Sequence, residues 1–125
     1  HHLVCLFADI DLAEAFSDAV RETVPTFPND PEIFGRQVYM DARDGVLGEE
    51  DRLLVSASGI AVGDAPGLVK EYGGFCYPAH LDRSSFSVIS ALGTIEAEMG
   101  FTCGEISRAG APAEMKKKYP ALGEM

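Results

Sequence analysis

The apolar positions of the chain fall into short runs separated by turn-forming residues. Leu3 to Phe7 is a continuous apolar run preceded by His2, as expected of a strand buried on both faces. Asp11 then reads as an N-cap, with Glu14 three residues on in the manner of a capping box. Leu12, Ala15, Phe16, Ala19, Val20 and Thr23 keep helical spacing as far as Pro25, which stops the helix. A proline-rich connection from Pro25 to Pro31 breaks this β-α rhythm. Gln37 to Asp41 and Gly45 to Glu49 then read as the arms of a hairpin around Asp44-Gly45, a common turn pair. Leu53 to Val62 is ambiguous between strand and helix, whereas Asp64 to Tyr72 has helical spacing and a Gly73-Gly74 stop. Phe75 to Tyr77 predicts a second buried strand, Ser84 to Leu92 a helix starting near a serine cap, and Phe101 to Ile106 a third strand. Ala113 to Tyr119 predicts a last helix, with Lys116 to Lys118 near its C-terminal dipole.

The resulting order, β-α, an excursion, then α-β-α-β-α, predicts an α/β fold. Parallel neighbours need crossovers and helices supply them, so a mainly parallel sheet or a barrel of βα units is favoured. Three strands are few for a barrel, and His2 already belongs to the first strand's pattern. The chain is therefore expected to be a segment of a larger α/β domain, with residues 25–52 as a hairpin insertion.

Composition narrows the function classes. At 125 residues and 46% hydrophobic the chain can bury one ordinary core. A formal charge of -10 argues against general affinity for nucleic acid or a membrane surface, and leaves room only for a localised anion site. Cys5, Cys76 and Cys103 are odd in number and lie in apolar runs, which suits reduced thiols in a cytoplasmic protein. No run approaches the roughly 18 to 20 apolar residues of a membrane helix. A Gly-rich phosphate loop, a Gly-x-Ser-x-Gly elbow and a Cys-x-x-Cys pair are all absent, which disfavours nucleotide-cofactor, serine-hydrolase and zinc-finger readings.

The chemistry-bearing element is Pro78-Ala-His-Leu-Asp-Arg83, directly after the apolar Gly74 to Tyr77. A histidine at a strand end followed by an acid and an arginine suits a metal ligand beside an anion-binding group. Taken in order, His2-Leu-Val-Cys-Leu-Phe7, Pro31-Glu-Ile-Phe-Gly-Arg-Gln37 and Pro78-Ala-His-Leu-Asp-Arg83 resemble the PHP (polymerase and histidinol phosphatase) superfamily of metal-dependent phosphoesterases, over essentially the whole chain.

The resemblance implies a segment of a distorted (β/α)7 PHP-type barrel with a β-hairpin insertion. It also implies a cluster of two or three divalent metals in the complete domain, zinc, manganese or iron, held by histidines and carboxylates. On this chain His2 matches the histidine that opens the family's central strand motif, and His80 the Pro-Ala-His ligand. The family's N-terminal His-x-His, its next histidine and glutamate ligands and its C-terminal Asp-x-His have no counterpart. Two imidazoles are fewer than the three or four ligands of a mononuclear site, so the chain alone is expected to be inactive. The implied reaction is hydrolysis of a phosphate ester by metal-activated water, on a phosphorylated small molecule, nucleotide or oligonucleotide. Arg83 would bind the substrate phosphate, and Glu105 would point into the same cavity as an outer-shell group. An incomplete barrel with open sheet edges would be prone to self-association.

Plainer readings stand beside each of these. His1 and His2 could belong to a purification tag, and His80 could be a core or capping histidine. Asp82 and Arg83 could pair on the surface or cap the next helix, Glu105 could pair with Arg108, and Lys116 to Lys118 could be a solvated helix end. The corresponding functional alternative is a noncatalytic acidic α/β module that binds or regulates a protein, with a degenerate site.

Overall fold

A computed structural model describes residues 1–125. In chain order the elements are β1 (Leu3–Leu6), α1 (Ile10–Thr23), α2 (Pro31–Phe34), β2 (Val38–Met40), β3 (Val46–Glu49), α3 (Ala65–Glu71), β4 (Phe75–Pro78), α4 (Val88–Leu92) and α5 (Pro112–Lys118), with 3-10 turns at Ala97–Met99 and Pro120–Gly123. They form two units, His1–Phe16 with Ala61–Met125, and Ser17–Ile60. The fold is mixed α/β with two small two-stranded sheets and no closed barrel.

In the first unit β1 pairs with β4, placing Leu3 opposite Pro78, Val4 opposite Tyr77 and Cys5 opposite Cys76. The pairing is antiparallel, which corrects the expectation of a mainly parallel sheet. A single helix per crossover is what returns a chain parallel to its first strand. Here three helices and the β2-β3 hairpin intervene between β1 and β4, so the crossover rule does not constrain the direction of return. The chain enters β4 through a glycine pair. Gly73 adopts φ +73° at the end of α3, and the Gly74 N–H donates to the Val69 carbonyl at 2.9 Å. A Cβ on Gly74 would lie 2.3 Å from the Phe7 ring, so only glycine allows this approach. Phe7 in turn packs on Phe16 of α1, ring centroids 5.2 Å apart.

The core of this unit gathers Val69 from α3, Cys76 from β4, Leu81, Val88 from α4, Ile95, Phe101 and Leu122. Each fully buried aliphatic side chain contributes about 1.5 to 3 kcal/mol of transfer free energy. Several local expectations are corrected here. The cap of α1 is Asp9, whose carboxylate accepts from the Asp11 N–H at 2.8 Å, so Asp11 sits in the first turn rather than at the cap. Starting at Asp9 adds helical residues and puts an acid beside the positive end of the dipole. α4 begins at Val88 rather than near Ser84. Its cap is Ser87, which forms a reciprocal capping box with Ser90, and Phe86 before it is at φ +62°, outside any helix.

Phe101 to Ile106 forms no regular strand. Glu105 nevertheless brackets the end of β4, its N–H donating to the Pro78 carbonyl at 3.0 Å and its carbonyl accepting from the Leu81 N–H at 2.8 Å. The segment lies close here because Gly104 faces Leu81, where a Cβ would come within 2.5 Å of the leucine side chain. Leu53 to Val62 is neither strand nor helix.

In the second unit the predicted hairpin is present. β2 and β3 pair antiparallel, Val38 opposite Glu49 and Tyr39 opposite Gly48, with a bulge between Tyr39 and Met40. The Asp41 carboxylate closes the turn by accepting from the Arg43 and Gly45 N–H groups, both at 2.8 Å, while Asp44 adopts φ +62°. These backbone hydrogen bonds, Gly45 first, hold the Asp41 carboxyl below its ordinary range. The proline-rich stretch also has a structural role. Pro28 bridges Arg52, with Asn29 N–H to Asp51 O at 2.7 Å and Leu53 N–H to Phe27 O at 2.8 Å. Gln37 fixes the same stretch, donating to the carbonyls of Glu50 and Arg52 and accepting from the Leu54 N–H.

Candidate functional site

The antiparallel ladder brings His2 and His80 together. The Ala79 N–H donates to the His2 carbonyl at 3.1 Å, so His2 and Ala79 are paired across the sheet and His80 follows at the turn beyond β4. The two imidazole rings meet edge to face, centroids 5.4 Å apart and planes at 88°. His2 is also stacked on Phe86, centroids 5.2 Å apart at 12°, and its N–H donates to the Phe86 carbonyl at 2.8 Å. Nothing in the sequence marks an exposed phenylalanine between serines as a shelf for a histidine 84 positions earlier.

Both residues that flank His2 in space carry backbone strain. His80 is at φ +35° and Phe86 at φ +62°, conformations that cost a non-glycine residue about 1 to 3 kcal/mol and concentrate at functional sites. The His80 Nε2 atom is buried and has no hydrogen-bond partner. Left unpaired, a buried polar atom of this kind costs about 1 to 3 kcal/mol, a cost that a bound water or ion would remove.

The remaining predicted residues are placed as follows. Arg83 is exposed and makes no ion pair. Its N–H donates to the His80 carbonyl at 2.9 Å, and its carbonyl accepts from the Ser87 hydroxyl at 2.9 Å, so its backbone is held at both ends. Its side chain lines a cavity of about 340 Å³ with Asp82, Ser84, Ser90, Lys118 and Tyr119. Lys118 reaches over the Tyr119 ring, 5.3 Å from the centroid, and supplies a second cation that the sequence offered only as part of a charge run. Asp82 pairs with neither Arg83 nor the next helix. Its carboxylate accepts from the Ser107 hydroxyl at 2.5 Å and the Ser107 N–H at 2.9 Å, and these bonds, the hydroxyl first, hold it below the ordinary carboxylate range. Glu105 has an exposed side chain that pairs neither with Arg108 nor with any other cation, and its backbone role is the bracket on β4.

The two imidazole rings are neighbours, and the Nε2 of His80 is a nitrogen without a protein partner. No group of three or more His, Cys, Asp or Glu side chains that could hold a metal ion is formed. Two imidazoles are fewer donors than the three or four protein ligands of a mononuclear site. No helix is long and apolar enough to cross a membrane. No known protein family, curated protein or solved structure matches the chain.

Proposed function

We propose that this chain carries part of a metal-dependent phosphoesterase site of the PHP type, and that the 125 residues are a barrel segment, with residues 25–52 as a hairpin insertion, inactive by itself. The observation that carries this reading is the approach of His2 to His80, rings 5.4 Å apart, with the Nε2 of His80 buried and unpaired. Divalent zinc, manganese or iron, two or three ions in the complete domain, would supply a water of lowered pKa and neutralise charge on the phosphoryl oxygens. His2 and His80 would serve as neutral imidazole ligands, His2 held in place by its stack on Phe86 and by its backbone pairing to Ala79. Arg83 would orient the phosphate of a small molecule, nucleotide or oligonucleotide with its planar fork, from a backbone tied to both His80 and Ser87. Glu105 would act from the outer shell.

A second reading has its own support. The parallel stack of His2 on Phe86 fills a structural role without any metal, as in a noncatalytic acidic module with a degenerate site that binds a protein. Calorimetric titration of the chain with zinc, manganese and iron(II), with imidazole NMR shifts followed for the diamagnetic zinc, separates the two. The phosphoesterase reading expects saturable binding that shifts both His2 and His80 and is lost in His80→Ala but kept in His1→Ala. Binding that is equal in the chain and in the His2→Ala/His80→Ala double variant favours the module and overturns the metal site.

A further inference from the structure

The ladder that joins the two histidines also determines which of its residue pairs face each other most closely. His2 and Ala79 share a backbone hydrogen bond, and Pro78 has no N–H to give. Antiparallel pairing alternates, so Val4 with Tyr77 is again a hydrogen-bonded pair, whereas Leu3 with Pro78 and Cys5 with Cys76 are not. At such positions the Cα atoms stand about 4.5 Å apart and both side chains leave the same face, within the roughly 4.4 to 6.8 Å that a disulfide spans. Cys76 is in the core and Cys5 packs against it from the partly exposed side. All three cysteines are free thiols.

We infer that Cys5 and Cys76 form an oxidation site, closing to a cross-strand disulfide that staples β1 to β4 when the protein meets hydrogen peroxide. The sulfur of Cys5, the more accessible of the two, attacks one peroxide oxygen as the thiolate. The O–O bond breaks, the other oxygen leaves as hydroxide and takes a proton to become water, and Cys5 is left as a sulfenic acid. The Cys76 sulfur then attacks the Cys5 sulfur, the S–O bond breaks, and the hydroxyl leaves with the Cys76 proton as a second water. Two thiols lose two electrons and two protons, and one peroxide becomes two waters.

The surroundings also determine the rate. Burial pushes the Cys5 thiol up, and it pushes Cys76 up to about 11, with the nearby Cys5 and Cys103 thiols adding to the shift. Thiolate is therefore scarce at neutral pH, so the pair oxidises slowly there and faster in alkali. Cys103 lies in the irregular Phe101 to Ile106 segment and has no strand partner, so it is the competitor rather than the expected partner. The inference rests on strand register and does not depend on the phosphoesterase reading.

Peroxide treatment of the folded chain, alkylation of the remaining thiols and non-reducing tryptic mass spectrometry test it. Cleavage after Arg21, Lys70, Arg83 and Arg108 puts the three cysteines on three different peptides. The expected product joins the Cys5 and Cys76 peptides with the loss of two hydrogen atoms, leaves Cys103 alkylated and forms equally in Cys103→Ser. Its midpoint of thermal unfolding rises by about 10 °C and returns on reduction. A crosslink through Cys103, or recovery of Cys5 only as sulfinic acid with no 5–76 peptide, overturns the inference.

Discussion

The two units are held together by different means. His1–Phe16 with Ala61–Met125 has an apolar core in which Val69 and Val88 are wholly buried and Leu81 and Ile95 nearly so. Ser17–Ile60 buries a single residue, and that residue is a carboxylate, Glu50. Large apolar side chains of this unit, Leu47, Val55 and Phe27 among them, are more than half exposed. Its order comes from polar closure. Glu50 accepts from the Arg21 guanidinium at 2.5 Å, from the Tyr39 hydroxyl and from the Arg52 N–H at 3.0 Å, so one side chain ties α1, the hairpin and the Pro28–Arg52 bridge. A core of interlocking hydrocarbon tolerates loss of any one hydrogen bond. A unit with one buried residue, an ion, has less to fall back on.

The largest effect that would break this contrast belongs to the apolar core. Leu81→Ala is expected to cost about 2 to 5 kcal/mol, from lost transfer energy and the cavity left behind. Urea unfolding of the first unit's signals measures it, and a loss below 1 kcal/mol would show that the core does not carry the stability. A smaller change lies in the same unit. Ser87→Ala removes the hydroxyl that accepts from Ser90 N–H and donates to Arg83 O, and is expected to cost about 0.5 to 2 kcal/mol by the same measurement. It should also loosen the backbone of Arg83, which amide exchange at residues 83–87 would report.

In the second unit Glu50→Ala should abolish amide-exchange protection at Glu50, Arg52 and Leu53 while the amides of β4 stay protected. Unchanged protection at those three amides would mean that the hairpin holds itself. Acid offers the same test without mutation. The hydrogen bonds from Arg21 and then Tyr39 and Arg52 lower the Glu50 carboxyl from 4.5 to about 2. The folded value lies below the unfolded one, so its stabilisation is complete above about pH 4.5 and disappears as pH falls through about 2. Asp41 at the hairpin turn is shifted in the same direction. Exchange measured at stepped pH should therefore show residues 50–53 opening before β4 does, and simultaneous opening would argue against a separate polar closure.

Much of the local structure was legible because local chemistry decides it. The helical spacing from Leu12 to Thr23, the Asp44-Gly45 turn, the apolar Phe75 to Tyr77 and the lysine-terminated last helix all appear within a few residues of their expected places. The errors came where two signals compete. Asp9 and Asp11 are both good caps, and only the hydrogen bond to Asp9 Oδ1 separates them. Ser84, Ser85 and Ser87 could each open a helix, but Phe86 at positive φ leaves only Ser87 able to do so. Phe101 to Ile106 has strand composition, yet Gly104 under Leu81 and the single bracket at Glu105 give it contact with β4 without a ladder.

For the candidate site, residue type was visible and partnership was not. His80 and Arg83 are picked out in the sequence by the Pro78 to Arg83 element, and His2 by the family resemblance alone. That His2 and His80 meet depends on antiparallel register across 78 residues of chain, which no local pattern encodes. The Phe86 stack, the capture of Asp82 by Ser107, the cavity shared by Arg83 and Lys118, and the face-to-face Cys5 and Cys76 depend on the same long-range pairing. Amino-acid order by itself determined the first and last helices, the hairpin turn and the supply of reactive groups, since these follow from periodicity and side-chain chemistry. Tertiary structure decided strand direction and which groups face one another, because those depend on how segments distant in the chain close on a common core.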